Sequence, residues 1–178
     1  VYVTWQDKRG GVDDDIYGTH VDANYNIISP GSGVPIVVQG GTQSAKSIEY
    51  AGNNEAFICW SDSRQGENID IYGQRLDVSM SPLFQENGIH IANSLEPETR
   101  PRTTFVNNTT SLVTWKYGDE SARILYQFVN NSGLVFAEAK PVSNFNAIQT
   151  SPRVKRSSDG SVFTVSYTHL TLPTKVSV

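Results

Sequence analysis

Only one cysteine, Cys59, occurs in the 178 residues, so no internal disulfide can form. It sits in the apolar run Ala56-Phe57-Ile58-Cys59-Trp60 with no His or basic neighbour to draw its pKa down, and is expected to be a small buried thiol. No apolar stretch reaches the 18 residues that a membrane-spanning helix needs. Basic residues are too few for a nucleic-acid partner: 14 Lys and Arg stand against 18 Asp and Glu, a net charge of −4, and phosphate binding relies on a basic surface that releases counterions. The helix-favouring residues Ala, Leu, Glu and Lys are outnumbered by Thr, Val, Ser, Asn and Gly, so helix should be scarce. A G-x-S-x-G elbow, an H-E-x-x-H pair and a glycine-rich phosphate loop are all missing, which leaves catalysis without a motif.

What is present is a repeat. Trp5, Trp60 and Trp115 are spaced by 55 residues, each closing a strand-like run: Val1-Tyr2-Val3-Thr4, Ala56-Phe57-Ile58-Cys59 and Ser111-Leu112-Val113-Thr114. After the first two tryptophans the match continues as Asp7, Arg9, Gly11, Asp15-Ile16-Tyr17-Gly18 and Asp22 against Asp62, Arg64, Gly66, Asp70-Ile71-Tyr72-Gly73 and Asp77. Nine of the 22 aligned positions are identical, where composition alone gives roughly one or two. The third copy is degenerate: Lys116-Tyr117-Gly118-Asp119 follows Trp115, and Leu125-Tyr126 stands for Ile-Tyr after a one-residue deletion. Within the second copy, strand candidates run over 56–60, 69–76, 88–92 and 102–106, separated by turn-forming residues. Four short strands in about 50 residues, repeated, predict an all-β partial β-propeller of about three four-stranded blades. The repeats fall at about 1–55, 56–110 and 111–160 within a propeller spanning 1–164, and a fourth begins near Ser161. The opening Val1-Tyr2-Val3-Thr4-Trp5 is itself a strand pattern, so the chain is read as a piece of a longer polypeptide whose missing blades are its first partners.

The shared pattern W-x-D-x-R-x-G-x(3)-D-[IL]-Y resembles the tryptophan and aspartate-arginine repeats of secreted bacterial β-propellers, over residues 1 to about 164. The resemblance implies an exported, cell-surface or extracellular protein acting as a recognition or adhesion scaffold toward a glycan or a protein. The alternative is a fragment of a propeller-fold glycoside hydrolase of sialidase type. Such a site would need arginines converging on a carboxylate, but Arg64, Arg100, Arg102 and Arg153 are expected to point from different blades. The Asp-box pattern of sialidases is absent. His20 and His90 stand alone and are read as packed or surface residues.

The repeated polar set, Asp7, Arg9, Gly11 and Asp15 with its counterparts Asp62, Arg64, Gly66 and Asp70, is expected to close turns. Arg9 would bond a carboxylate, and Gly11 would supply a positive φ. No cofactor is expected. Calcium at Asp7, Asp13, Asp14 and Asp15 is the alternative, and two observations argue against it: the second copy has Asn68-Ile69-Asp70 there, and the spacing is not that of an EF-hand. The sequons at Asn107, Asn108 and Asn130 read as turn residues. From Val165 the repeat breaks, and Val165-Ser166-Tyr167-Thr168-His169-Leu170-Thr171-Leu172-Pro173-Thr174 resembles a translated sequencing adapter, so 165–178 is set apart as a non-native tail. Three blades leave two sheet faces open, so a sharp two-state melt is not expected.

Overall fold

The computed structural model describes residues 1–144 and 147–169, and among them every regular element is a strand. The strands in chain order are β1 (Tyr2–Asp7), β2 (Asp15–His20), β3 (Val34–Val37), β4 (Gln43–Gly52), β5 (Glu55–Asp62), β6 (Asp70–Leu76) and β7 (Ile89–Ala92). They continue as β8 (Glu98–Asn107), β9 (Thr110–Tyr117), β10 (Arg123–Asn130), β11 (Gly133–Leu134), β12 (Lys140–Pro141), β13 (Ile148–Arg156) and β14 (Val162–His169). They pair antiparallel into four sheets: β1-β2-β3, β4-β5-β6-β7, β8-β9-β10-β11 with β12 also on β10, and β13-β14. The first strands β4, β8 and β13 lie side by side, and the sheets fan outward from them as the blades of a partial propeller.

The second sheet is buried on both faces because its strands are apolar on both. Ile58, Trp60 and Tyr72 pack toward Ile16, Ile36, Val37 and Met80 of the first interface. Phe57, Cys59 and Ile71 pack the other way, against Phe105, Val113, Trp115 and Val129. Successive residues of one strand thus feed two cores, as the two-residue side-chain period requires.

Two readings of the sequence need correction. The segment 102–106 is not the last strand of the second sheet; it lies in β8, the first strand of the third, where Arg102 pairs with Thr114 and Phe105 with Ser111. The sequence repeat therefore begins one strand into each sheet. In the third sheet, Trp115 pairs with Leu125, whereas Trp5 and Trp60 pair with Tyr17 and Tyr72. The deletion is thus two residues, not one, and Tyr126 is not the counterpart of Tyr72. Tyr126 faces Thr114 across the ladder and packs edge-on against Phe128 and Phe136.

The first residues of the segment set apart as a tail lie in β14. β14 runs through Val165 to His169, with Tyr167 opposite Thr150 and Val165 opposite Arg153. Alternating Val and Phe with Thr and Ser is enough to continue a ladder, whatever the segment's source. Residues 170–178 lie outside the described residues.

Candidate functional site

The repeated polar set forms the same constellation twice. In the second sheet the Trp60 indole donates to Asp62 Oδ2 at 2.7 Å. The backbone N–H of Arg64 donates to Asp62 Oδ1 at 2.9 Å, and its guanidinium donates to Oδ2 at 2.6 Å. That guanidinium lies over the Tyr72 ring, 4.0 Å from its centroid, and also donates to the Asn87 carbonyl at 3.1 Å. In the first sheet Trp5 donates to Asp7 at 3.2 Å, Arg9 bonds the same carboxylate, and its guanidinium lies 4.2 Å from the centroid of Tyr17. Hydrogen bonds from Arg9 hold the Asp7 carboxyl well below the usual carboxylate range. Indole, carboxylate, guanidinium and phenol ring thus fasten one hairpin, and every charged member has a protein partner. Gly66, at φ 104°, holds a backbone closed to other residues, while Gly11 at 157° sits at the border of extended backbone.

Sequence reasoning missed two further repeat-related pairs. Gly33 and Gly88, also 55 apart, lie against Trp5 and Trp60: a Cβ on either would come within 2.4 or 2.5 Å of the indole ring. Gln43 and Glu98 occupy the same place at the start of β4 and β8, facing Asp62 and Tyr117 respectively. Where Tyr117 replaces the aspartate, Glu98 supplies the carboxylate instead and takes the Trp115 indole N–H at 3.2 Å. The acceptor has crossed the ladder to the neighbouring strand.

Glu98 is 2% exposed, and burial pushes its carboxyl up to about 7. It lines a groove of about 490 Å³ between the second and third sheets, together with His90, Asn93, Ser94, Tyr117 and Gln127. His90 shares a hydrogen bond of 3.0 Å with Asp70 and stacks on Tyr72 at 4.2 Å. His20 contacts the Val78 carbonyl at 3.0 Å and stacks on Tyr2. Burial raises the Cys59 thiol pKa, so it stays a protonated core side chain.

The four carboxylates weighed for calcium go to separate partners. Asp7 binds Arg9, Asp13 accepts from the Gly41 N–H at 3.2 Å, Asp14 lies 4.0 Å from Lys8, and buried Asp15 accepts from the Gln39 backbone N–H. Among the described residues no three His, Cys, Asp or Glu side chains are gathered where they could hold a metal ion. Asn107 and Asn130 accept the backbone N–H two residues on, as turn residues do.

The arginines come from three different sheets, yet three of them lie on neighbouring strands. Arg64 is committed to Asp62, but Arg100, Arg102 and Arg153 come from the adjacent first strands β8 and β13, and Arg100 Nη1 donates to Ser151 Oγ at 3.0 Å.

No family profile matches the chain, and no curated protein does. Among solved structures it is similar to a thermostable family-43 glycoside hydrolase, with a TM-score of 0.55 and 14% identity over 94% of this chain. The chain spans 62% of that enzyme's length. At this identity the likeness speaks for the propeller fold alone. No helix among the described residues is long and apolar enough to cross a membrane.

Proposed function

We propose that this chain is part of an exported propeller that serves as a recognition scaffold, presenting its first strands and inter-sheet grooves to a glycan or a protein. One observation carries the reading: Trp60, Asp62, Arg64 and Tyr72, kept from the first copy, are consumed in contacts with one another, while the groove between the second and third sheets is lined by residues outside that motif, His90, Asn93, Ser94, Glu98 and Tyr117 among them. In a repeat, what is kept builds the scaffold and what varies is free to select a ligand.

A glycoside hydrolase is the second reading. Glu98, held near pKa 7 in the wall of a groove, has the proton affinity of a general acid, and the solved structure similar to this chain is a glycoside hydrolase. One experiment separates the two. The chain is screened against immobilised neutral and acidic glycans, and those that bind are assayed for release of reducing ends. Binding without release is expected. Release abolished by Glu98→Gln would replace the scaffold with the enzyme, and an array with no binder would overturn glycan recognition.

A further inference from the structure

Three arginines meet on the first strands of the third and fourth sheets without an anionic partner. β8 begins Glu98-Thr99-Arg100-Pro101-Arg102 and β13 runs Gln149-Thr150-Ser151-Pro152-Arg153, the same pattern one sheet apart. Each strand breaks register at the same point, between Thr99 and Arg102 and between Thr150 and Arg153. At each break the residue before proline is left-handed, Arg100 at φ 56° and Ser151 at φ 53°. A non-glycine residue in that region costs on the order of 1–3 kcal/mol, and strain of this kind persists where the surrounding structure imposes it. The break also occurs at the equivalent place in β4, between Ser44 and Ser47, so the bulge is a built feature of the first strands, and in β8 and β13 it carries arginine.

What the bulges present is positive charge. Arg100 and Arg153 are exposed, and among the described residues neither they nor Arg102 forms an ion pair, whereas Arg9, Arg64 and Arg75 all do. Arg102 donates to the Pro101 carbonyl at 2.8 Å, and its Nε is buried with no partner. Burial lowers the Arg102 pKa and the charge of Arg153 lowers it further, with Arg100 adding to the effect, so these guanidinium groups repel one another. In a chain with a net charge of −4, arginines set together without a carboxylate leave an unmet demand for negative charge.

We propose that Arg100, Arg102, Arg153 and the Ser151 hydroxyl form an oxyanion site, and that its ligand is an acidic glycan whose carboxylate or sulfate is taken by the paired guanidinium forks. The oxyanion part stands on the arginines alone; the glycan part rests on the recognition reading above. Planar forks bind such oxygens through two parallel N–H bonds, which a neutral sugar hydroxyl cannot return.

The test titrates the full chain by calorimetry with oligogalacturonate, a sulfated galactan oligomer, a neutral galactan oligomer and sodium sulfate. Arg100→Gln and Arg153→Gln, both at exposed positions, are compared with Arg123→Gln, an exposed arginine on β10, and hydrogen exchange verifies that each variant folds. Expected is binding of at least one acidic oligomer that weakens by about tenfold or more in either of the first two variants and is unchanged in the third. The preferred oligomer identifies carboxylate or sulfate as the source. A neutral oligomer binding as well as the acidic ones, indifferent to the substitutions, would overturn the oxyanion site and leave the recognition reading in place. Sulfate alone binding at these arginines would keep the oxyanion site and overturn its glycan ligand. Acidic oligomers bound equally by all variants, or no binding of any probe, would overturn the proposal.

Discussion

The first and second sheets carry the same motif in different surroundings. Trp60 is fully buried, and the Asp62 and Arg64 side chains are 0% and 16% exposed; Trp5 is half-buried, with Asp7 and Arg9 at 20% and 39%. The hydrogen bonds are alike, but the coverage is not. Trp60 points into the core shared with the first sheet, while Trp5 points to the opposite face of its own sheet, where no further sheet is described. The same local geometry thus stands with and without a covering sheet, and the expectation is that the covering sheet adds most of the stabilisation.

The largest test of that contrast is to remove the ring. Trp60→Ala should cost about 3–5 kcal/mol, read as lost hydrogen-exchange protection across β5 and β6, because it empties a closed core. Trp5→Ala should cost about 1–2 kcal/mol at β1 and β2, since its ring already faces solvent. Equal losses would show that the local bonds dominate.

The glycines come next. Gly88→Ala places a methyl against the enclosed Trp60 ring on a backbone at φ 85°, and should cost about 2–4 kcal/mol by the same measurement. Gly33→Ala, at φ 80° against Trp5, should cost roughly half as much, because that ring has room to swing outward. A Gly33→Ala loss as large as that of Gly88→Ala would show that Trp5 is as confined as Trp60.

The smallest effect extends the comparison to the third sheet, where the carboxylate has moved to Glu98. Its native pKa of about 7 lies above the ordinary value of 4.5, so between those limits the folded chain binds more protons than the unfolded one. Stability contributed by this group is full below pH 4.5, falls as pH rises through the window, and is lost above about 7. Glu98→Gln, which installs the residue found at Gln43 and Gln149, should remove that decline and raise protection of β8 and β9 at pH 8 by roughly 1–3 kcal/mol relative to wild type. No gain at pH 8 over pH 5 would mean that Glu98 titrates normally.

Much of this was legible from the sequence, and the limits have physical causes. The tryptophan spacing and the W-x-D-x-R pattern exposed the repeat and the turn bonds, because those contacts are local. The border of each sheet was not legible, since β8 has the same apolar alternation whichever neighbour it pairs with. Gly33 and Gly88 were within reach, because their spacing equals that of Trp5 and Trp60. Glu98 could not be matched to Asp62, because the replacement sits on a different strand and only the ladder joins them. The convergence of Arg100, Arg102 and Arg153 was missed because the bulges that aim them leave no trace in the hydrophobic pattern.

The offset between the 55-residue copy and the sheet has a mechanical consequence. Each copy ends as the opening strand of its successor's sheet, so adjacent copies overlap like a lap joint rather than abutting like beads on a string. Tension along the chain cannot peel away one copy without also stripping the first strand from the next sheet. Extension must therefore proceed in steps that straddle two layers, and a load applied at one layer is handed directly to its neighbour.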